Sequence, residues 1–459
     1  MYRVRKPLEL FSNSELEAIH NATLEVLRDA GFVVRHDEAL KLLNDSGAEV
    51  DWNKRTVRMP PELIEESVRK APKHVMLGAR ERKHDMELEH GKVYFGAFTG
   101  TYMLDLHTGD RRLVTSSDVV NFTKLADALS SVHYVSCDEE GLLDTIDNTL
   151  KHIELCPLKN SHIQIGIRIV GDEDQFRKRP FFSTLITPTS PLQMDHGNAE
   201  TLLIAARNRV PLFPESLPMA GATAPATLPG TLVIQNAEEL FVITLAQLVN
   251  PGTPVVYGSW ATIMDQRYGR VSEGAPELSV LSVGAVQLAR YYGLPSHVGA
   301  GMTDAKVSDA QAGYEKVLTC FPAIMAGTNV VTGLGILDSM ETSSYEQLVI
   351  DNEIAEMMLI FARGCEVSDE TLALDLIKRL GPGGQYLTER HTIKHMYEHY
   401  IPKISDRTWW GHWKSTGQSK DAREKAREKA KQILKTHEVK PLERSVREEI
   451  SQILRRRAN

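Results

Sequence analysis

From about residue 117 the chain repeats one phrase. A helix-like stretch gives way to a Gly-Leu-Pro or Asn-Pro-Gly break and then a short apolar run, recurring every roughly 35–45 residues. Strands that point the same way need a long crossover, and a helix is the usual one. The apolar runs are VHYVSC (132–137), HIQIGI (162–167), FFSTLI (181–186), VPLFPE (210–215), PVVYGSW (254–260), PSHVGAG (295–301) and NVVTGLGIL (329–337). Between them lie segments of helical length, such as AEELFVITLAQLV (237–249) and PELSVLSVGAVQLARYY (276–292). Seven runs, with an eighth expected near Cys365, favour an α/β (β/α)8 TIM barrel over a doubly wound sheet. No GxGxxG opens a first βα turn, which counts against a dinucleotide fold.

The flanks read differently. NSELEAIHNATLEVLRDA (13–30) carries a capping signal and helical spacing of Leu16, Ile19, Leu24 and Leu27. A second helix is expected over 37–45 and a third over 60–71, with prolines at its start. Residues 93–115 alternate around the turn HTGD and predict a β-hairpin. At the other end, WWGHW (409–413) precedes charged helical stretches with thin apolar stripes, expected to be solvated surface helices or an oligomer contact. The division is an N-terminal helical and hairpin subdomain (1–115), a barrel (116–400) and a C-terminal helical extension (401–459).

Bulk properties narrow the class. A formal net charge of −8 argues against nucleic acid and suits a cationic ligand. The N-terminus has no apolar leader and no run approaches 18 apolar residues, so neither secretion nor a membrane is expected. Four cysteines in 459 residues make no disulfide framework, which fits a reducing cytoplasm.

Barrel enzymes take their catalytic groups from the C-terminal ends of strands and the loops beyond. Just past the runs stand Cys137, Asp138 and Glu139, then Glu215, Trp260, His297, Asp338 and Glu341. Aromatic residues gather nearby: Tyr268, Tyr345, Phe98, Tyr102, and Trp409, Trp410 and Trp413 in the tail. Each has a plainer reading as packing, capping or dimer contact, and His297 equally as a satisfied core histidine. The pairs His133/Cys137 and His152/Cys156 lack a third ligand at a recognisable spacing, so no bound metal is expected. Neither a Walker loop nor a GxSxG elbow is present.

LRDAGFVV (27–34), PPELIEESVRKAP (60–72), DAKVSDAQAGYEK (304–316) and AGTNVVTGLGILDSMETSSYEQLVIDNEIAEM (326–357) resemble the trimethylamine methyltransferase family over nearly the whole chain. The resemblance implies a (β/α)8-barrel enzyme that moves a methyl group from a methylated amine to the cobalt of a corrinoid (cobalamin) carried by a partner protein. The archaeal trimethylamine branch places pyrrolysine in the loop after the strand matching NVVTGLGIL, within about Asp338–Thr342. Here that loop has only ordinary residues. The resemblance is then to the non-pyrrolysine branch, whose members demethylate quaternary amines, glycine betaine foremost and proline betaine, carnitine and γ-butyrobetaine besides.

A quaternary ammonium has no lone pair and no N–H, so aromatic faces and acidic groups must recognise it. Trp260, Tyr102, Phe98 and Tyr345 are expected to form the cage and Glu341 to supply the negative charge. His297 is expected to bond the betaine carboxylate, with Arg267 as a longer-range partner. Trp409 and Trp410 are expected at the mouth or against the corrinoid. A betaine-binding sensor without catalysis and a barrel lyase with paired carboxylates are the competing readings, and a homo-oligomer is open.

Overall fold

The computed structural model describes residues 7–89, 91–415 and 419–455; residues 1–6, 90, 416–418 and 456–459, which include part of the expected tail, lie outside that description. Eight strands form the barrel: β1 Tyr94–Ala97, β2 Tyr134–Cys137, β3 His152–Leu155, β4 Phe182–Ile186, β5 Leu212–Pro214, β6 Tyr257–Ser259, β7 Ser296–Gly299 and β8 Val330–Leu334. They pair in the order β5-β4-β3-β2-β1-β8-β7-β6, all parallel. The ring closes at Leu212, whose N–H donates to the Pro254 carbonyl (3.0 Å) and whose carbonyl accepts from the Val256 N–H (2.9 Å). Each strand is followed by a helix, from Ser116–Ala128 after β1 to Tyr345–Arg363 after β8.

Two strands differ from the sequence reading. YFGA (94–97), expected within a hairpin, is β1, buried on both faces, so no alternation marks it. The hairpin is real but begins later, pairing Tyr102–Leu104 with Arg111–Leu113 on the C-terminal face of the barrel. HIQIGI (162–167) is no strand: it lies in the helix Asn160–Val170, where Ile163 and Gly166 face inward at helical spacing and Gly166 receives the Phe176 ring. The third strand is HIEL (152–155) instead. Cys365 is exposed beyond the last barrel helix, and no strand forms there among the described residues.

The expected helices Asn13–Asp29, Asp37–Asp45 and Pro61–Lys70 all form, the first with a Ser12/Glu15 capping box. The first and third pack on the barrel helix Leu228–Val249. That helix is long and apolar enough to cross a membrane, yet 78% of its apolar stretch is buried inside the fold, which makes it a core helix. At the N-terminal end of the barrel a two-stranded plug (Val75–Leu77 with Met86–Leu88) packs Val75, Leu77 and Met86 against Tyr94, Val256 and Val330. The tail helix Ala422–Thr436 lies on the helices Ser116–Ala128 and Tyr345–Arg363 and buries Ala426, Ala430 and Ile433.

The closing seam tolerates no bulk. A Cβ at Gly258 would overlap the Pro214 carbonyl oxygen of the neighbouring strand. Buried Glu239 accepts hydrogen bonds from the Gly258 N–H (2.8 Å) and the Ser216 N–H (3.4 Å), tying both strands to one helix. Gly258→Ala should cost at least ~3 kcal/mol, the upper range for overpacking, because backbone rather than a flexible side chain must move. A chemical-denaturation midpoint within error of the parent protein would contradict this account of the seam.

Candidate active site

A cavity of about 440 Å³ lies at the C-terminal ends of the strands. Its walls come from seven of the eight strand ends or the loops that follow: Phe98 after β1, Ser136 and Asp138 on and after β2, Glu154 on β3, Leu185 on β4, Glu215 and Leu217 after β5, Trp260 after β6, and Thr332 on β8. Met340 closes one side. Trp260, Phe98, Leu217 and Met340 pack as one apolar wall, with the Trp260 and Phe98 ring centroids 6.2 Å apart.

Two carboxyl groups face this wall. Glu154 is almost fully buried; the Ser136 hydroxyl donates to its Oε2 (2.6 Å), and its Oε1 has no hydrogen-bond partner. Burial pushes its carboxyl up to about 7. Glu215 is held well above the ordinary carboxylate range, first by burial and then by the charges of Glu154 and Glu239. Its Oε1 likewise lacks a partner. The charge of Glu154 thus disfavours ionisation of Glu215. Cys137 and Cys156 also line the cavity, but burial lifts both thiols to about 12, so both stay protonated.

Only part of the expected site assembles here. Trp260 and Phe98 do line the cavity. His297, on β7, lies fully buried beneath it, with Nε2 2.7 Å from the Thr332 hydroxyl and 3.8 Å from Glu215. Burial drops His297 to about 3, which keeps it neutral and unsuited to pairing with a carboxylate. Glu341 is half exposed and faces Arg111 at 3.7 Å, outside the cavity. Tyr102 has one ring face covered by the Arg111 guanidinium, 3.4 Å from the centroid. Tyr345 is buried under the barrel rim and donates its hydroxyl to Asp118 (2.9 Å). Arg267 is exposed and pairs with Asp265 within its own turn (2.6 Å). Trp409 and Trp410 are 75% and 71% exposed on the tail and do not line the cavity.

The loop after β8 reaches the site by an unusual path. Asp338, Ser339 and Met340 all adopt left-handed backbone (φ 56°, 53° and 72°), a conformation costing about 1–3 kcal/mol per non-glycine residue. Three cations hold the turn: Arg270 (2.8 Å), Lys306 (2.8 Å) and Arg111 (3.4 Å) all reach the buried Asp338 carboxylate. The acidic groups of this loop therefore serve the turn, and Met340 is the residue it presents to the cavity.

Sequence reasoning noted Glu215 at a strand end without giving it the charge role, and missed Glu154, because β3 was not recognised. A single acid inside HIEL was the available signal. The two His/Cys pairs have histidines engaged elsewhere: His133 accepts from the Phe95 N–H (3.0 Å), and His152 bonds the Gly78 carbonyl (2.7 Å) and Ser183 (2.9 Å). Elsewhere Glu370, His391 and His395 approach within 4.8 Å, but the Lys394 ammonium already holds Glu370.

The electrostatics predict a pH dependence. Glu154 is protonated below about pH 7, and Glu215 shifts in the same sense. A bound cation favours the ionised carboxyls, so binding releases protons. Affinity for tetramethylammonium should fall by up to roughly tenfold per unit as pH drops below 7, and calorimetry in buffers of different ionisation heat should show proton release. By the same sign the empty protein loses stability as pH rises from the ordinary carboxylate range through 7. A flat affinity profile between pH 5 and 8 would remove these carboxyls from the binding site.

Comparison with known proteins agrees with this architecture. The chain matches the family model for trimethylamine methyltransferase (MTTB) over residues 1–459. It is 37% identical to trimethylamine methyltransferase MttB of Desulfitobacterium hafniense, over 94% of this chain and 90% of that one. It is 34% identical to the glycine betaine methyltransferase of the same species, over 88% of each. Among solved structures, the Methanosarcina barkeri monomethylamine methyltransferase (MtmB) superposes with a TM-score of 0.51 over 95% of this chain and 89% of its own, at 12% identity, which speaks to the fold alone. A family match along the full sequence and relatives above 30% identity across both chains make this chain a methyltransferase of the trimethylamine methyltransferase family.

Proposed function

We propose that this methyltransferase takes a methyl group from a quaternary amine and delivers it to reduced cobalt in a corrinoid carried by a partner protein. The observation that carries this reading is the pairing of an aromatic wall, Trp260 and Phe98, with two buried acidic residues, Glu154 and Glu215, in the lining of the same cavity. An N-methyl cation gains from the ring faces and from the carboxylates, and a neutral ligand gains from neither. The betaine relative supports a quaternary donor. So does the loop after β8, where Met340 lines the cavity and no pyrrolysine is present.

The chemistry asks little acid–base work of the protein. The cobalt(I) electron pair forms the new bond to the methyl carbon, the C–N bond breaks, and its pair stays on nitrogen. A neutral tertiary amine leaves and cobalt becomes methyl-cobalt(III). This chain's residues hold the cation in line and keep water out. Ionised carboxylates favour the charged ground state more than the transition state, in which that charge is disappearing.

Two variants test the assignment in a cobalamin methylation assay followed by absorbance. Trp260→Ala should weaken substrate binding tenfold or more, given ~1–2 kcal/mol for a desolvated cation–π contact. Glu215→Gln should raise KM by a similar factor while kcat is unchanged or rises, because the lost interaction belongs mainly to the ground state. If a panel of quaternary amines binds saturably and no methyl-cobalt forms, the protein is a sensor of these cations and the transferase reading fails.

A further inference from the structure

Within the reading of a quaternary amine donor, we infer that the substrate carries no carboxylate: the cavity takes a small organic cation of the choline or tetramethylammonium kind and disfavours zwitterionic betaines. The charges around the site carry this inference. Among the described residues, no Lys, Arg or His side chain lines the cavity, whereas Asp138, Glu154 and Glu215 all do. A betaine's carboxylate lies only a few bonds from its ammonium. With the ammonium against Trp260 and Glu215, a carboxylate in the same cavity would share it with three acidic side chains and no basic one.

The cations of the surrounding loops offer no relief. Arg111, Arg270 and Lys306 converge on Asp338, where they hold the left-handed turn. Lys159, beyond β3, is paired with Glu139. His297 lies beneath the floor, neutral and engaged with Thr332. Burying a carboxylate without a partner is among the costlier events in a protein interior. Glu154 and Glu215, by contrast, each keep one carboxyl oxygen without a hydrogen-bond partner. Hydroxyls from Thr99, Ser136 and Thr187 suit an uncharged polar tail such as that of choline.

The test is calorimetric binding to the full-length protein at pH 8 with five probes: tetramethylammonium, choline, 3,3-dimethylbutanol (the neutral isostere of choline), glycine betaine and the carboxamide of glycine betaine. Choline and the carboxamide should each bind at least tenfold more tightly than glycine betaine, and choline at least tenfold more tightly than its neutral isostere. In Glu215→Gln the choline advantage over glycine betaine should shrink several-fold, and in Asp138→Asn glycine betaine should gain affinity. Glycine betaine binding as tightly as its carboxamide overturns the inference, as does a panel in which no cation binds. The transferase reading fails separately: if choline binds as expected but forms no methyl-cobalt with cobalt(I) cobalamin, the charge selectivity stands and the methyl transfer does not.

Discussion

The seam between β5 and β6 is where this barrel is closed, and the arrangement of the site follows from it. Leu212 bonds to Pro254 and Val256 across the gap, and Gly258 brings the two backbones together where no side chain fits. Glu239, fully buried on the helix Leu228–Val249, accepts from N–H groups on both sides of the seam. That helix is covered in turn by the N-terminal helices, which is why it is apolar almost all round. With the ring closed, strand ends far apart in sequence gather around one cavity. Phe98 and Trp260 are 162 positions apart and form one wall.

Electrostatic cost is concentrated in that cavity. Glu154 and Glu215 keep unpartnered oxygens inside a well-packed fold, an arrangement that structure alone gives no reason to keep. The strained turn at Asp338–Met340 stands beside it, held by three cations that would otherwise have been free to neutralise the pocket. The division of charge is consistent. Positive side chains on this face pair with Asp338 and Glu341 and hold loops in place, whereas among the described residues Glu154 and Glu215 have no Lys or Arg partner. Such sites are expected where binding a cation recovers what folding leaves unsatisfied.

Much of the architecture could be read from the chain. Six of the seven apolar runs contain barrel strands, and the three N-terminal helices follow their capping and spacing signals closely. The failures share a cause. A four-residue strand buried on both faces, such as YFGA or HIEL, shows no alternation and is too short to stand out from its flanks. HIQIGI, rich in β-branched residues, imitates a strand until tertiary contacts with Phe176 decide for a helix. Missing HIEL also hid Glu154. Glu341 was assigned the charge because it follows a strand, but proximity in sequence does not fix direction, and its side chain turns toward Arg111.

The chain's periodicity, which acts over a few residues at a time, sets the parallel (β/α)8 plan, and the segments 304–316 and 326–357 carry the resemblance that implies the family and its methylated amine. Tertiary structure decided which acids meet. Glu154 and Glu215 line one cavity only because β3 and β5 turn their ends into it, and Asp338 is silenced only because Arg111, Arg270 and Lys306 arrive from three separate loops. Charge pairing depends on distances of a few ångströms between residues far apart in the chain, and those distances exist only once the barrel is closed.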